Sequence, residues 1–148
     1  MKKIFAVIFL LTFASSCSAI EIKIPDWKLV NEFITPLIPD ATSEDLGRVI
    51  YRTYEREAPR EILEIILTEG KGTGSLYVPE EVDDSKKLMP ASEYKILELA
   101  GHKAILEIHE NLPPALAVRV DENIILNLES PSLTPQELIS IAEKILEK

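Results

Sequence analysis

The chain has 148 residues, of which 46% are hydrophobic and 28% charged, and its formal net charge is −9 at pH 7. This length gives room for one domain with one core, and the composition is that of a globular rather than a disordered protein. An acidic surface repels phosphate backbones, so the composition argues against nucleic-acid binding. Glutamine, cysteine and methionine are scarce beside Ile, Leu, Glu and Lys, a bias that predicts a thermophilic source.

The first residues have the layout of a secretory signal peptide. Lys2 and Lys3 give a positive n-region, and the apolar run 4–13 is followed by small residues up to Cys17. That run is too short to cross a bilayer core, which needs roughly 20 residues. We therefore predict a signal peptide at residues 1–16 and an exported protein. Cleavage removes both lysines and no acid, which makes the mature chain two charge units more negative.

Cys17 has two interpretations. The segment 14–17 resembles a bacterial lipobox, although Ala14 stands where leucine is usual, and this resemblance implies that Cys17 is acylated. An ordinary signal peptidase that cuts after Ser16 or Ala19 would release a soluble protein instead. Cys17 is the only cysteine, so no disulfide within the chain can form in an oxidising envelope. We predict a lipid-attachment site and short tether at residues 17–25, with the domain on the periplasmic or extracellular side of the cell membrane.

The next part of the chain predicts one helix and then strands. Trp27, Val30 and Ile34 recur at three- and four-residue steps, which predicts an N-terminal helix at 26–35 that the proline at position 36 closes. The segment 48–55 is dense in β-branched and aromatic residues and predicts a strand. An apolar segment at 61–68 predicts another.

Two hairpins follow a long glycine- and acid-rich stretch. The strand pairs are separated by the short turns 100–102 and 121–123, and Pro113-Pro114 is expected to separate one hairpin from the other. The predicted strands cover residues 94–99, 103–110, 115–120 and 124–129.

The C-terminal helix has the most explicit start signal in the chain. Thr134, a proline at the next position and Glu137 form a capping box. Leu138 opens an apolar stripe that must pack on another element, most simply a sheet. We therefore predict an α+β fold for residues 26–148, a single domain. It comprises an antiparallel β-sheet of about six strands with an N-terminal and a C-terminal helix packed on it.

The motifs of common active sites are missing or incomplete. The acidic run 80–84 lacks the spacing of a calcium loop, and the glycine-rich stretch 70–75 lacks the spacing of a phosphate loop. His102 and His109 are seven residues apart, which points them to opposite faces of one strand. No G-x-S-x-G segment is present. The sequence thus predicts no catalytic residue, no metal and no cofactor, and only a carboxylate pair stays open as a route to hydrolysis.

Four aromatic residues are candidates for contact with a partner or ligand. The alternative for each is packing in the core. They are Trp27, Tyr51, Tyr54 and Tyr77.

Three segments, 49–54, 101–104 and 134–146, follow one another in an order that resembles the PsbP-like α+β fold and, in outline, small envelope lipoproteins. Proteins of the PsbP-like fold mostly bind and stabilise larger assemblies, and the resemblance transfers no catalytic residue. It implies a binding role and nothing more. From the missing catalytic motifs and the predicted anchor, we predict a non-enzymatic, membrane-anchored domain that binds a protein partner or a small apolar ligand through one sheet face or the loop 70–90. The alternatives are a periplasmic lipid or lipoprotein carrier and, less favoured, a carboxylate-dependent hydrolase.

Overall fold

The computed structural model describes residues 20–37, 46–71, 73 and 92–147. These residues contain seven strands and one helix. The elements are β1 (Lys28–Pro36), β2 (Arg48–Arg56), β3 (Glu61–Glu69), β4 (Glu93–Leu99), β5 (His102–His109), β6 (Leu112–Asp121), β7 (Ile124–Glu129) and α1 (Pro135–Leu146). The predicted signal peptide, Cys17, Tyr77 and the acidic run 80–84 lie outside the described residues.

The seven described strands form one antiparallel sheet in the order β1-β2-β3-β7-β6-β5-β4. Two meanders, β1 to β3 and β4 to β7, are joined side by side because β7 pairs with β3. The predicted antiparallel sheet and C-terminal helix are therefore confirmed. The described part of the chain has seven strands where the sequence predicted about six, and the additional strand is β1.

The predicted N-terminal helix at 26–35 is wrong, because this segment is strand β1. A bulge between Leu29 and Asn31 shifts the alternation of side chains by one residue. Leu29 and Ile34 consequently face the same side of the sheet although they are five residues apart, opposite Tyr54 and Ile50 of β2. The bulge thus breaks the two-residue alternation that would have identified this segment as a strand.

The two consecutive prolines also lie differently from the prediction. Pro113 and Pro114 fall inside β6, near its start, rather than between two hairpins. The pairing of β5 with β6 is irregular there, with Glu107 opposite Ala115 and His109 opposite Leu112. Proline lacks a backbone N–H, and an irregular stretch of ladder is where a strand tolerates that loss.

The core lies between one face of the sheet and α1. Leu63, Leu67, Leu126 and Leu138 are fully buried.

The predicted capping box of α1 is present, since the Thr134 hydroxyl accepts the Glu137 N–H at 3.3 Å and the Glu137 carboxylate accepts the Thr134 N–H at 2.8 Å. The Thr134 hydroxyl also lies 2.8 Å from the same carboxylate oxygen, and the bonds that the backbone N–H and the hydroxyl of Thr134 donate to the carboxylate hold the pKa of Glu137 below its ordinary value. The apolar stripe of α1 faces the sheet, with Leu138, Ile141, Ala142 and Ile145 buried.

Residues 20–27, which we call the N-terminal arm, pack against the same core. Ile20, Ile22 and Ile24 are partly buried, and the residues between them are exposed. This alternation is that of an extended chain lying on an apolar surface. At the end of the arm, the Arg56 guanidinium lies 4.8 Å from the centre of the Trp27 ring, a cation–π contact. The arm and α1 together cover one face of the sheet, which we call the covered face.

Two glycines meet where β2 begins and β3 ends. Gly47 and Gly70 have φ angles of +127° and +123°. A Cβ added to Gly70 would lie 2.3 Å from the Cα of Gly47, and one added to Gly47 would lie 2.1 Å from the carbonyl oxygen of Glu69. The backbones therefore approach each other as closely as only glycine allows. The same corner holds hydrogen bonds from Leu37 N to Gly47 O and from Gly70 N to Asn123 O.

Candidate functional site

The second face of the sheet carries no described helix and no described strand beyond the sheet itself, and we call it the open face. Residues directly opposite each other on antiparallel strands point to the same face, so the register defines rows of side chains that cross the sheet. Two of these rows line the groove on the open face. The apolar row comprises Phe33, Tyr51, Ile66, Asn127, Ala117, Ile105 and Ile96, and the acidic row comprises Asn31, Thr53, Glu64, Glu129, Ala115, Glu107 and Tyr94.

A groove of about 280 Å³ lies on the open face where the two rows cross β6. Ala115 and Ala117 contribute small side chains at its centre, while Ile66 and Ile105 rise on either side. The depression exists because two alanines on one strand are flanked by larger residues on its neighbours. Tyr94, Glu107, Asn127 and Glu129 complete the polar part of its lining.

The acidic row gives one end of the groove a negative character. Glu64 and Glu129 lie directly opposite each other on β3 and β7. Partial burial, followed by the charges of Glu64 and Glu107, raises the pKa of Glu129 above its ordinary value. Glu107 is held in place by two hydroxyl groups, because Ser92 Oγ and Tyr94 OH donate to its Oε1 at 2.7 and 3.1 Å.

The repulsion between Glu64 and Glu129 leads to a first prediction. Since the folded state raises the pKa of Glu129, folding stability falls as the pH rises through that pKa and the carboxyl group ionises. Glu129→Gln is therefore expected to stabilise the protein at pH 7 by about 0.2–1 kcal/mol, the cost of like charges on directly opposite strand positions. Urea unfolding at pH 7 measures this gain. The gain should vanish near about pH 3, where the carboxyl groups of Glu64 and Glu129 are both protonated.

A matched control is Glu122→Gln in the exposed turn between β6 and β7. That variant removes the same charge without a partner directly opposite on a neighbouring strand. An equal gain from both variants would mean that net charge, rather than the acidic row, sets the effect.

The four aromatic residues predicted from the sequence fall in different places. Tyr51 lies on the open face and stacks on Phe33, with ring centroids 4.4 Å apart and planes inclined by 7°. Tyr54 lies in the core, where burial raises the pKa of its hydroxyl. Trp27 packs at the end of the N-terminal arm. The described residues thus bring one of the four, Tyr51, to the open face.

The histidines lie at the two ends of β5. His102 is opposite Leu99 and lines a cleft on the covered side, whereas the Nδ1 atom of His109 accepts the backbone N–H of Asn111 at 3.1 Å. Across the described residues, no group of three or more His, Cys, Asp or Glu side chains is arranged to hold a metal ion. None of the described helices combines the length and apolar character needed to cross a bilayer.

The cleft beside His102 has a volume of about 620 Å³. It lies between the start of the N-terminal arm and the C-terminal end of α1. Ile20 and Leu146 are among its apolar lining residues, and Lys23 and Lys144 are among its charged ones. This cleft marks the end of the domain from which the chain leads back towards Cys17.

Several residues of the open face were missed by the sequence reasoning. Ala115 and Ala117 were predicted only as strand residues, although their alternation with Leu116 and Val118 signals a strand with one small-residue face. Glu107 and Glu129 were not singled out among the 25 acidic residues. Their convergence depends on the pairing of distant strands, which no local pattern reveals.

The fold defines a sheet-and-helix domain whose second face carries no described helix or strand. One end of that face is nevertheless buried, at Thr68 and Ile125 near Thr73, and the groove lies on the remaining part. Comparisons with protein-family models, with curated proteins and with solved structures find no match to the chain. The functional argument therefore rests on the geometry of the domain.

Proposed function

We propose that this protein is a non-enzymatic, lipid-anchored domain of the cell envelope that binds a protein partner on its open face. The observation that carries the proposal is the groove between Ile66 and Ile105, floored by Ala115 and Ala117. It lies in the same row as the Phe33–Tyr51 stack, which adds exposed aromatic surface. Aromatic side chains next to a small pocket are frequent anchors of protein–protein contacts.

The size and charge of the groove favour a protein segment over a small apolar ligand. Small-molecule sites usually enclose roughly 300–1,000 Å³, and this open groove of about 280 Å³ falls just below that range. It suits one or two inserted side chains. Glu107 and Glu129 at its edge favour a partner that places a lysine or arginine beside an apolar residue.

The anchor is the second part of the proposal. Its support is the signal-like segment 1–16 and the solitary Cys17 of the sequence. The mass of the mature N-terminal peptide tests it: acylation adds the mass of the acyl chains to Cys17, and a Cys17→Ser variant should leave the membrane fraction. An unmodified N-terminus at residue 17 or beyond would remove the anchor and leave the open face to be tested by itself.

The partner-binding role is tested by filling the groove. Ala117→Leu places extra bulk at its floor without touching the covered face, so we expect capture of the partner to fall by at least about ten-fold, the effect of losing roughly 1.4 kcal/mol. The full-length protein is cross-linked in native membranes, and co-purified proteins are quantified by mass spectrometry for both chains.

The control is Glu143→Leu on the exposed side of α1, which adds a leucine away from the open face. A protein whose recovery falls with Ala117→Leu and not with Glu143→Leu is a partner of the groove. Recovery of every co-purified protein to the same extent from all three chains would contradict the proposal.

Two other functions are less well supported. A lipid carrier needs an unfilled apolar interior, and the covered face is filled, since Leu63, Leu67 and Leu126 have no exposed surface. A carboxylate-dependent hydrolase is favoured by one observation, the presence of Glu107 and Glu129 in one groove. The carboxyl group of Glu129 is only partly desolvated, however, whereas the acid of such a pair is typically held in a strongly desolvated pocket.

A further inference from the structure

The edge strand β1 exposes apolar side chains on both faces. Of the six exposed large hydrophobic residues among the described ones, Leu29, Val30, Phe33 and Ile34 belong to this strand, with exposed fractions of 42–50%. A long apolar edge strand is a template for pairing with another strand. The opposite edge, β4, is protected differently, because Glu93, Lys95 and Glu98 are all exposed along it.

The hydrogen-bonding groups of β1 that point away from the sheet can be identified. Leu37 donates its N–H to Gly47 O at 3.0 Å, so Leu37 faces β2. Inward- and outward-facing residues alternate along an antiparallel strand, which places Thr35, Phe33 and Asn31 inward as well. The N–H and C=O groups of Glu32 and Ile34 therefore point outward, beyond the edge of the described sheet.

We propose that β1 pairs antiparallel with β1 of a second copy of this chain, about a two-fold axis through Phe33. In this register Glu32 of each copy lies opposite Ile34 of the other. Each of these two pairs exchanges both main-chain bonds between the outward-facing groups. Phe33 faces its own counterpart in the closer, non-hydrogen-bonded position. This proposal stands on the edge strand alone and does not depend on the partner proposed for the groove.

Neighbouring registers are less favourable for identifiable reasons. Centring the axis on Glu32 sets two carboxylates directly opposite each other and carries the pairing into the bulge at Leu29 and Asn31. Centring it on Ile34 places Glu32 opposite Pro36, which has no N–H to donate. The register through Phe33 uses the regular stretch 31–35, between the bulge and the proline.

The side chains support a second copy as the occupant. Phe33 already stacks on Tyr51, so the pairing brings the two stacks together and extends the apolar row across both sheets. The charge of Glu32 is matched within its own chain, since its Oε2 lies 2.6 Å from Nε of Arg52. Few residues take part, so we expect a weak dimer in dilute solution and a stronger one where chains are concentrated, as on a membrane.

Cysteine cross-linking in the full-length protein tests both the pairing and its register. Phe33→Cys should form a disulfide-linked dimer on mild oxidation, because a residue on the axis meets its own copy within disulfide reach. Asn31→Cys and Thr35→Cys on the same face should cross-link at least roughly ten-fold less, since each is displaced from its own copy by several residues. Non-reducing gel electrophoresis measures the yields in native membranes.

The wild-type chain supplies the baseline, because Cys17 is its only cysteine. A dimer band from the wild type would mean that Cys17 is free, which bears on the anchor and not on β1. Adding Ile34→Lys to the Phe33→Cys chain should abolish the cross-link, whereas adding Leu112→Lys, at a similarly exposed apolar residue away from β1, should not. Unchanged melting temperatures show that both chains are folded.

Three results would overturn the proposal. The first is no cross-link from Phe33→Cys in a folded chain. The second is a stronger cross-link from Glu32→Cys, which would place the axis elsewhere. The third is an equal yield from Ile96→Cys, because that residue lies on the opposite edge and its cross-linking would indicate random collision.

Discussion

Gly70→Ala is expected to destabilise the protein by about 3–5 kcal/mol, a large part of the roughly 5–15 kcal/mol that stabilises a typical domain. The added Cβ would lie 2.3 Å from the Cα of Gly47, and the φ of +123° belongs to a region that other residues rarely adopt. The two backbone segments are held close together. Gly70 donates its N–H to Asn123 O, and Arg48, next to Gly47, forms a salt bridge with the buried Glu69, next to Gly70. Urea unfolding followed by circular dichroism measures the loss.

The control for this substitution is Gly101→Ala in the turn between β4 and β5. Gly101 also has a positive φ, +81°, but a Cβ there would meet no atom within 4 Å. It should therefore cost only the backbone strain, about 1–2 kcal/mol. Equal losses from the two variants would show that φ alone, and not the contact between the glycines, determines the effect.

The second large effect is expected in the N-terminal arm. Ile22→Asp should destabilise the domain by about 1–3 kcal/mol, because it removes a partly buried apolar side chain and places a charge against the core. The arm should then be cut by protease at low concentrations that leave the wild type intact, since cleavage follows local opening. Melting temperature and limited proteolysis together give the measurement.

Lys23→Asp is the matched control, since Lys23 is the next residue, is exposed and pairs with the exposed Glu21 at 3.1 Å. That variant should change stability by less than about 0.5 kcal/mol. If Ile22→Asp were equally silent, the arm would contribute nothing to the fold.

Much of the fold could be predicted from the sequence because its signals are local. The capping box at Thr134 and Glu137, the apolar stripe of α1 and the tight turns of the C-terminal half each depend on residues close together in the chain. β1 could not be predicted in this way. It is an edge strand exposed on both faces, so burial imposes no period of two, and its bulge interrupts the alternation of side chains.

The open face was harder to predict for a related reason. Ala115 and Ala117 become the floor of a groove only when Ile105 of the neighbouring β5 and Ile66 of β3, beyond β7, rise on either side of them. Of these two strands, β3 is distant from β6 in the chain. Glu64 and Glu129 likewise become neighbours only through the pairing of β3 with β7. The sequence indicated the types of residue available, and the strand order determined which of them meet.

The N-terminal arm would limit the distance between the domain and a membrane if the proposed anchor is present. If Cys17 carries the proposed lipid, the links from Cys17 to Ile20 span at most about 10 Å when extended, and Ile20 is already packed on the domain. Ile20 and Asp121 line the same cleft, so that end of the domain would lie within about 10 Å of the lipid headgroups. Ala115 lies in the half of β6 opposite Asp121, about 20 Å along the strand, and would lie that much farther from the headgroups if β6 runs along the membrane normal. The acidic end of the groove would thus face away from the bilayer, and a partner would approach it from the aqueous compartment.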